Sequence, residues 1–92
     1  MTITATVPTT SASRYLQQLC KHWSHKFETE FDPQSGIIAF PMGPIRMAAQ
    51  DDALVVTIDP TPDADVAAFK KVVADHLDRF AFREAPLTFD WK

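Results

Sequence analysis

SASRYLQQLCKHWSHKFETEFD, residues Ser11–Asp32, reads as one helix running straight into one strand. Ala12, Tyr15, Leu16, Leu19, Trp23 and Phe27 recur at spacings of three and four, which places them on one stripe at about 100° per residue. The hydroxyl of Thr10 or Ser11 is suited to cap the start, and Lys21 and Lys26 come late, where a cation suits the negative end of the helix dipole. From Phe27 the pattern changes. Phe27, Thr29 and Phe31 alternate with Glu28, Glu30 and Asp32, the period of a strand, so the helix is predicted to stop between Trp23 and Lys26.

Upstream, Thr2–Val7 alternates threonine with Ile3, Ala5 and Val7, a half-buried strand closed by Pro8. Downstream, the run Asp32-Pro33-Gln34-Ser35-Gly36 signals a turn, and 37–40 reads as a strand. Pro41-Met42-Gly43-Pro44 turns the chain again, 45–50 and 54–59 read as strands, and Asp51-Asp52 lies between them. Short turns make an antiparallel meander the natural pairing. Thr61-Pro62-Asp63 has the form of a helix start, with a capping hydroxyl, proline at the first position and an acid in the first turn. Val66, Phe69, Val73, Leu77 and Phe80 supply that helix's apolar stripe, Pro86 sets its outer limit, and Leu87, Phe89 and Trp91 alternate as a last short strand.

The expected order is β-α-β-β-β-β-α-β within a single domain, 1–92. A mostly antiparallel sheet with two helices on one face, a two-layer α+β sandwich, is the economical way to bury these stripes. The expected inward set is Phe27, Phe31, Ile38, Phe40, Ile45, Met47, Leu54, Val56 and Ile58. This order is similar to the TATA-binding-protein-like architecture, a likeness of shape that carries no function.

Composition excludes several classes. A formal net charge of -3 with scattered basic residues argues against nucleic-acid binding, which needs a basic stripe. One cysteine excludes an internal disulfide and fits a reducing compartment. No apolar run approaches the ~20 residues of a membrane span, and MTITATVPTT lacks the basic start and apolar core of a secretory signal, so the cytoplasm is the expected location. Only two glycines are present, with no phosphate loop, no nucleophile elbow and no CxxC, so an enzyme is the least favoured class.

Two segments could carry chemistry. In Cys20-Lys21-His22-Trp23-Ser24-His25, Cys20 and His22 are roughly 160–200° apart on a helix and cannot share an ion. His22 and His25 share a side and form the candidate pair for iron or zinc. His76 is expected to be roughly 10–15 Å or more away, since antiparallel helices set end to end separate their C-termini. The plainer reading makes each histidine a helix-boundary residue and Cys20 a small buried apolar one. The second segment is 76–84, where Arg79 and Arg83 suit an anion or cofactor. Against this stands an ion-pair network closing the helix on the last strand, with Asp75 and Arg79 as an i,i+4 pair. On the outer sheet face, Ile37, Ala39, Ala48 and Val55 are either scattered exposure, a dimer or partner surface, or a ligand platform.

SRYLQQLCKHWSHKF, FDPQSGIIAFP, and HLDRFAFRE with a terminal FDW resemble, over nearly the whole chain, a bacterial domain-of-unknown-function family. Its members occur alone or alongside siderophore-interacting flavin-dependent ferric reductases. The resemblance implies a small cytoplasmic binding or accessory domain connected with iron–siderophore utilisation, with such a reductase or a second copy as partner. Metal binding through His22 and His25 is the alternative. The matching positions are Arg14, Cys20, His22, His25 and Lys26, then His76, Asp78, Arg79, Arg83 and Glu84. The family has no established activity, so the resemblance brings no catalytic residue and no known cofactor. It more often has polar residues where this chain has Ile37 and Ala39, which makes the outer patch this chain's own feature.

Overall fold

The computed structural model describes residues 2–81, 83–84 and 87–92. The sequence readings at Met1, Phe82 and Pro86 lie outside the described residues. Strands β1 (Ile3–Pro8), β2 (Thr29–Phe31), β3 (Ser35–Ile38), β4 (Ile45–Ala49) and β5 (Ala53–Ile58) form one open antiparallel sheet in the order β1-β5-β4-β3-β2. Helix α1 (Ala12–Trp23) joins β1 to β2, and α2 (Val66–Phe80) follows β5. The two-layer α+β arrangement is the one the periodicities require. Among the described residues no helix is long and apolar enough to cross a membrane.

The register sorts the sheet into rows. Ile3, Ile58, Ile45 and Ile38 lie side by side, as do Ala5, Val56, Met47, Gly36 and Phe31. These rows face α1, which buries Ala12, Tyr15, Leu16, Leu19, Cys20 and Trp23. From α2 come Phe69, Val73 and Leu77. Full burial of each larger side chain contributes about 1.5–3 kcal/mol. Phe31 faces the same side, as expected, but on the short edge strand it stays 37% exposed.

Gly36 corrects the turn reading. The bend is made by Asp32, whose Oδ1 accepts from the backbone N–H groups of Gln34 and Ser35, both at 2.8 Å. These two bonds hold the Asp32 carboxyl below its usual pKa. Gly36 instead lies within β3, where a Cβ would sit 2.8 Å from Cys20 Sγ and 3.1 Å from Phe31 Cβ. Its missing side chain is a notch that lets α1 approach the sheet. Gly43 has the opposite reason for being glycine: φ is 138° and a Cβ would meet the Asp59 carbonyl at 2.2 Å.

Both helix starts differ from expectation. Ser11 is the residue before α1, but its side chain makes no capping bond; the Thr9 hydroxyl accepts from the Ser11 N–H at 3.0 Å. Helix α2 begins after Asp65, whose Oδ1 accepts from the Ala68 N–H at 3.1 Å, and not at Thr61. Thr61-Pro62-Asp63-Ala64 closes as a turn instead, with the Ala64 N–H bonded to the Thr61 carbonyl. Proline after threonine suits both starts, and the carboxylate nearer the apolar stripe became the cap. The last expected strand reduces to one bridge between Trp91 and Ala5, with the Lys92 N–H bonded to the Thr4 carbonyl at 2.7 Å.

Candidate functional site

The two helices meet along a seam that is aromatic inside and cationic outside. The Trp23 ring lies 4.8 Å from His76 and 4.8 Å from Phe40, which stacks on Phe69 at 5.5 Å. Phe27 closes on Phe40 at 5.2 Å. At the outer end, His22 lies 5.3 Å from His76 and 5.9 Å from Phe80. Rings therefore run from the core at Phe69 to the surface at His22.

This overturns the expected distance between His22 and His76. The helices do run antiparallel: Tyr15 touches Glu84, His22 touches Phe80 and Trp23 touches His76. They are offset rather than set end to end. The first turns of α2, which carry Phe69 onto Phe40, extend past the end of α1 and leave its C-terminal half beside α1. Phe40, whose ring packs against Trp23 of α1 and Phe69 of α2, bridges the two helices at this offset.

His76 is half-buried, and its Nδ1 lies 2.7 Å from the Val72 carbonyl. A carbonyl only accepts, so Nδ1 carries a hydrogen, and in the neutral ring it is Nε2 that holds the lone pair. His22 is open to solvent on one side. Partial desolvation, then the positive charges of His76, Lys26, Arg79 and His25, keep its pKa below the ordinary imidazole value. His25, expected to pair with His22, is exposed in the turn after α1, past Ser24, whose hydroxyl donates to the Lys21 carbonyl. Among the described residues no group of three or more His, Cys, Asp or Glu side chains is placed to hold a metal ion.

Further along the seam, Arg14, Tyr15, Phe80 and Arg83 line a cavity of about 320 Å³. Beside it, Glu84 accepts from the Tyr15 hydroxyl and from Thr9 Oγ1, the latter at 2.9 and 3.1 Å. Burial and the Glu84 carboxylate push the Tyr15 pKa above its usual value. Thr9 is the buried polar residue of this corner and ties the chain after α2 to the chain before α1. Asp78 adds a second tie, accepting from the Leu87 N–H at 2.9 Å. The acids of segment 76–84 thus close the fold through hydrogen bonds, and Asp75 pairs with Lys71 at 3.1 Å. Arg79 and Arg83 are both exposed. In the sequence Tyr15 reads only as a stripe residue and Arg14 only as a position matching the resembled family, because the partners that give them a role are about 65 to 70 positions away.

On the outer face, Ile37 and Val55 are half-buried and Ala39 and Ala48 exposed. Ala48 pairs directly with Val55, but Arg46 stands across from Ile37 and Thr57 beyond it, so the apolar positions are interleaved with polar ones. A cavity of about 240 Å³ opens there among Glu28, Thr29, Glu30, Ile37, Ala39 and Pro44. Cys20 is fully buried, and burial pushes its thiol up to about 11.

Fold and seam define a small α+β protein with two offset helices on an open five-stranded sheet. The chain matches, over residues 4–92, the family described as an uncharacterized protein conserved in bacteria (DUF2218), and it belongs to that family. It is similar to PA4090 from Pseudomonas aeruginosa, whose NMR structure superposes with a TM-score of 0.78 at 40% identity, covering 99% of this chain and 94% of that one. No curated protein matches.

Proposed function

We propose that this chain is a cytoplasmic binding and accessory domain for a small anionic aromatic or carboxylate ligand, acting in iron–siderophore utilisation beside a flavin-dependent ferric reductase. The observation that carries the binding reading is the cavity of about 320 Å³ bounded by Arg14, Tyr15, Phe80 and Arg83. Guanidinium groups suit carboxylates, and Phe80 offers a flat apolar wall. The volume lies at the low end of the roughly 300–1,000 Å³ typical of ligand sites, so the cavity suits one carboxylate-bearing aromatic arm rather than a whole ferric chelate. The link to iron rests on the family resemblance, whose relatives include domains alongside such reductases.

The test is a titration of isotope-labelled protein with 2,3-dihydroxybenzoate, and with the uncharged 2,3-dihydroxybenzamide as control. The acid should shift the signals of Arg14, Tyr15, Phe80 and Arg83, and Arg14→Gln should weaken it about tenfold. Equal binding of acid and amide, or shifts confined to other surfaces, would sink the proposal. Co-elution with a siderophore-interacting reductase tests the partner separately.

A further inference from the structure

We infer that His22 and His76 form a two-imidazole site for a borderline divalent metal ion such as Zn²⁺, with its remaining positions open. The first support is distance. An ion about 2.0–2.1 Å from each ring nitrogen lies about 3.2 Å from each ring centre, and a tetrahedral angle then sets the centres about 5.2 Å apart. The two ring centres stand 5.3 Å apart, which is the separation such a site needs. The second is the tautomer. The bond from His76 Nδ1 to the Val72 carbonyl leaves the Nε2 lone pair available, the arrangement in which outer hydrogen bonds orient metal-binding histidines. The third is rigidity. His76 rests on Trp23 and His22 on Phe80, and each ring is carried by a different helix, so little freedom is lost on chelation.

Charge sets the strength. Arg79, Lys26 and His25 act on His22 as positive neighbours, and they oppose an added cation. Partial desolvation and these neighbours lower the His22 pKa, which favours the neutral imidazole, the form that ligates. The balance is a weak site whose affinity rises when a neighbouring charge is removed. It differs from pairing His22 with His25, which draws both ligands from one end of one helix.

The experiment is a Zn²⁺ titration followed by long-range ¹H–¹⁵N spectra of the imidazoles and by calorimetry. The Nε2 signals of His22 and His76 should move together. His22→Ala, at an exposed position, and His76→Gln should each weaken binding about tenfold or more. His25→Ala should change it by less than about twofold, and Arg79→Gln should tighten it about two- to fivefold, as expected for one unit charge near the ion. Backbone spectra confirm that each variant is folded. Unmoved imidazole signals, a loss with His25→Ala equal to that with His76→Gln, or weaker binding in Arg79→Gln would each overturn the inference. The anion cavity is tested without metal, so either reading can fail alone.

Discussion

Replacing Gly36 with alanine isolates the close approach of α1 to the sheet. The new Cβ would lie 2.8 Å from Cys20 Sγ, 3.1 Å from Phe31 Cβ and 3.4 Å from Leu16 Cδ2. Ordinary contact needs roughly half an ångström more, and Cys20 and Leu16 are both fully buried, so α1 itself must give. Overpacking of this kind costs about 1–3 kcal/mol, and the lower chain entropy of alanine in the unfolded state returns about 0.4–1 kcal/mol. The net expectation is a loss of about 1–2 kcal/mol, or roughly 4–16 °C in Tm for a domain of this size. The check is urea denaturation of wild type, Gly36→Ala, Cys20→Ala and the double variant. Removing Sγ should cost about 1 kcal/mol by itself and should relieve Gly36→Ala, giving a coupling of about 1 kcal/mol or more. If Gly36→Ala costs the same with and without Cys20, to within about 0.5 kcal/mol, the notch argument is wrong.

Asp65→Ala should destabilise by about 1 kcal/mol through loss of the Ala68 bond, measured by the same unfolding curves, whereas Thr61→Ala should change stability far less. Cys20 should resist iodoacetamide at pH 8 in the folded state, since its thiol is buried and its pKa is about 11; rapid alkylation without unfolding would contradict this. His22 should titrate below an ordinary histidine when followed by its ring proton signals. The unfolded chain then binds the proton more readily, so this group's contribution to stability is present above about pH 6.5 and falls as pH drops through the folded-state pKa. Arg79→Gln should raise that pKa, and no change would remove the electrostatic account of it.

The elements were legible because their periods are local. The stripe of α1, the alternation at Phe27–Asp32 and the short turns each fit within one window of sequence. What escaped depended on distant partners. Gly36 looks like a turn glycine until Cys20 is placed above it. The late start of α2 rests on a choice between Thr61 and Asp65 that local chemistry leaves nearly even. The separation expected for His22 and His76 fails because helix direction is readable from topology but axial offset is not. At that offset the helices are bridged by Phe40, which packs against both Trp23 and Phe69. Arg79 and Arg83 were visible as candidates from composition, while Arg14 and Tyr15 needed the seam to be seen.

The tail lying on β1 has a consequence for how copies of this protein can meet. A sheet with two bare edges can add neighbours on both sides and grow into a fibre. Here Trp91 and Lys92 occupy part of one edge at Ala5 and Thr4, and β2 at the other is three residues long. Joining through β2 uses the same edge on both molecules, so it closes after two copies. Trp91 and Lys92 thereby oppose growth at the β1 edge, and removing their contacts with Ala5 and Thr4 would expose it.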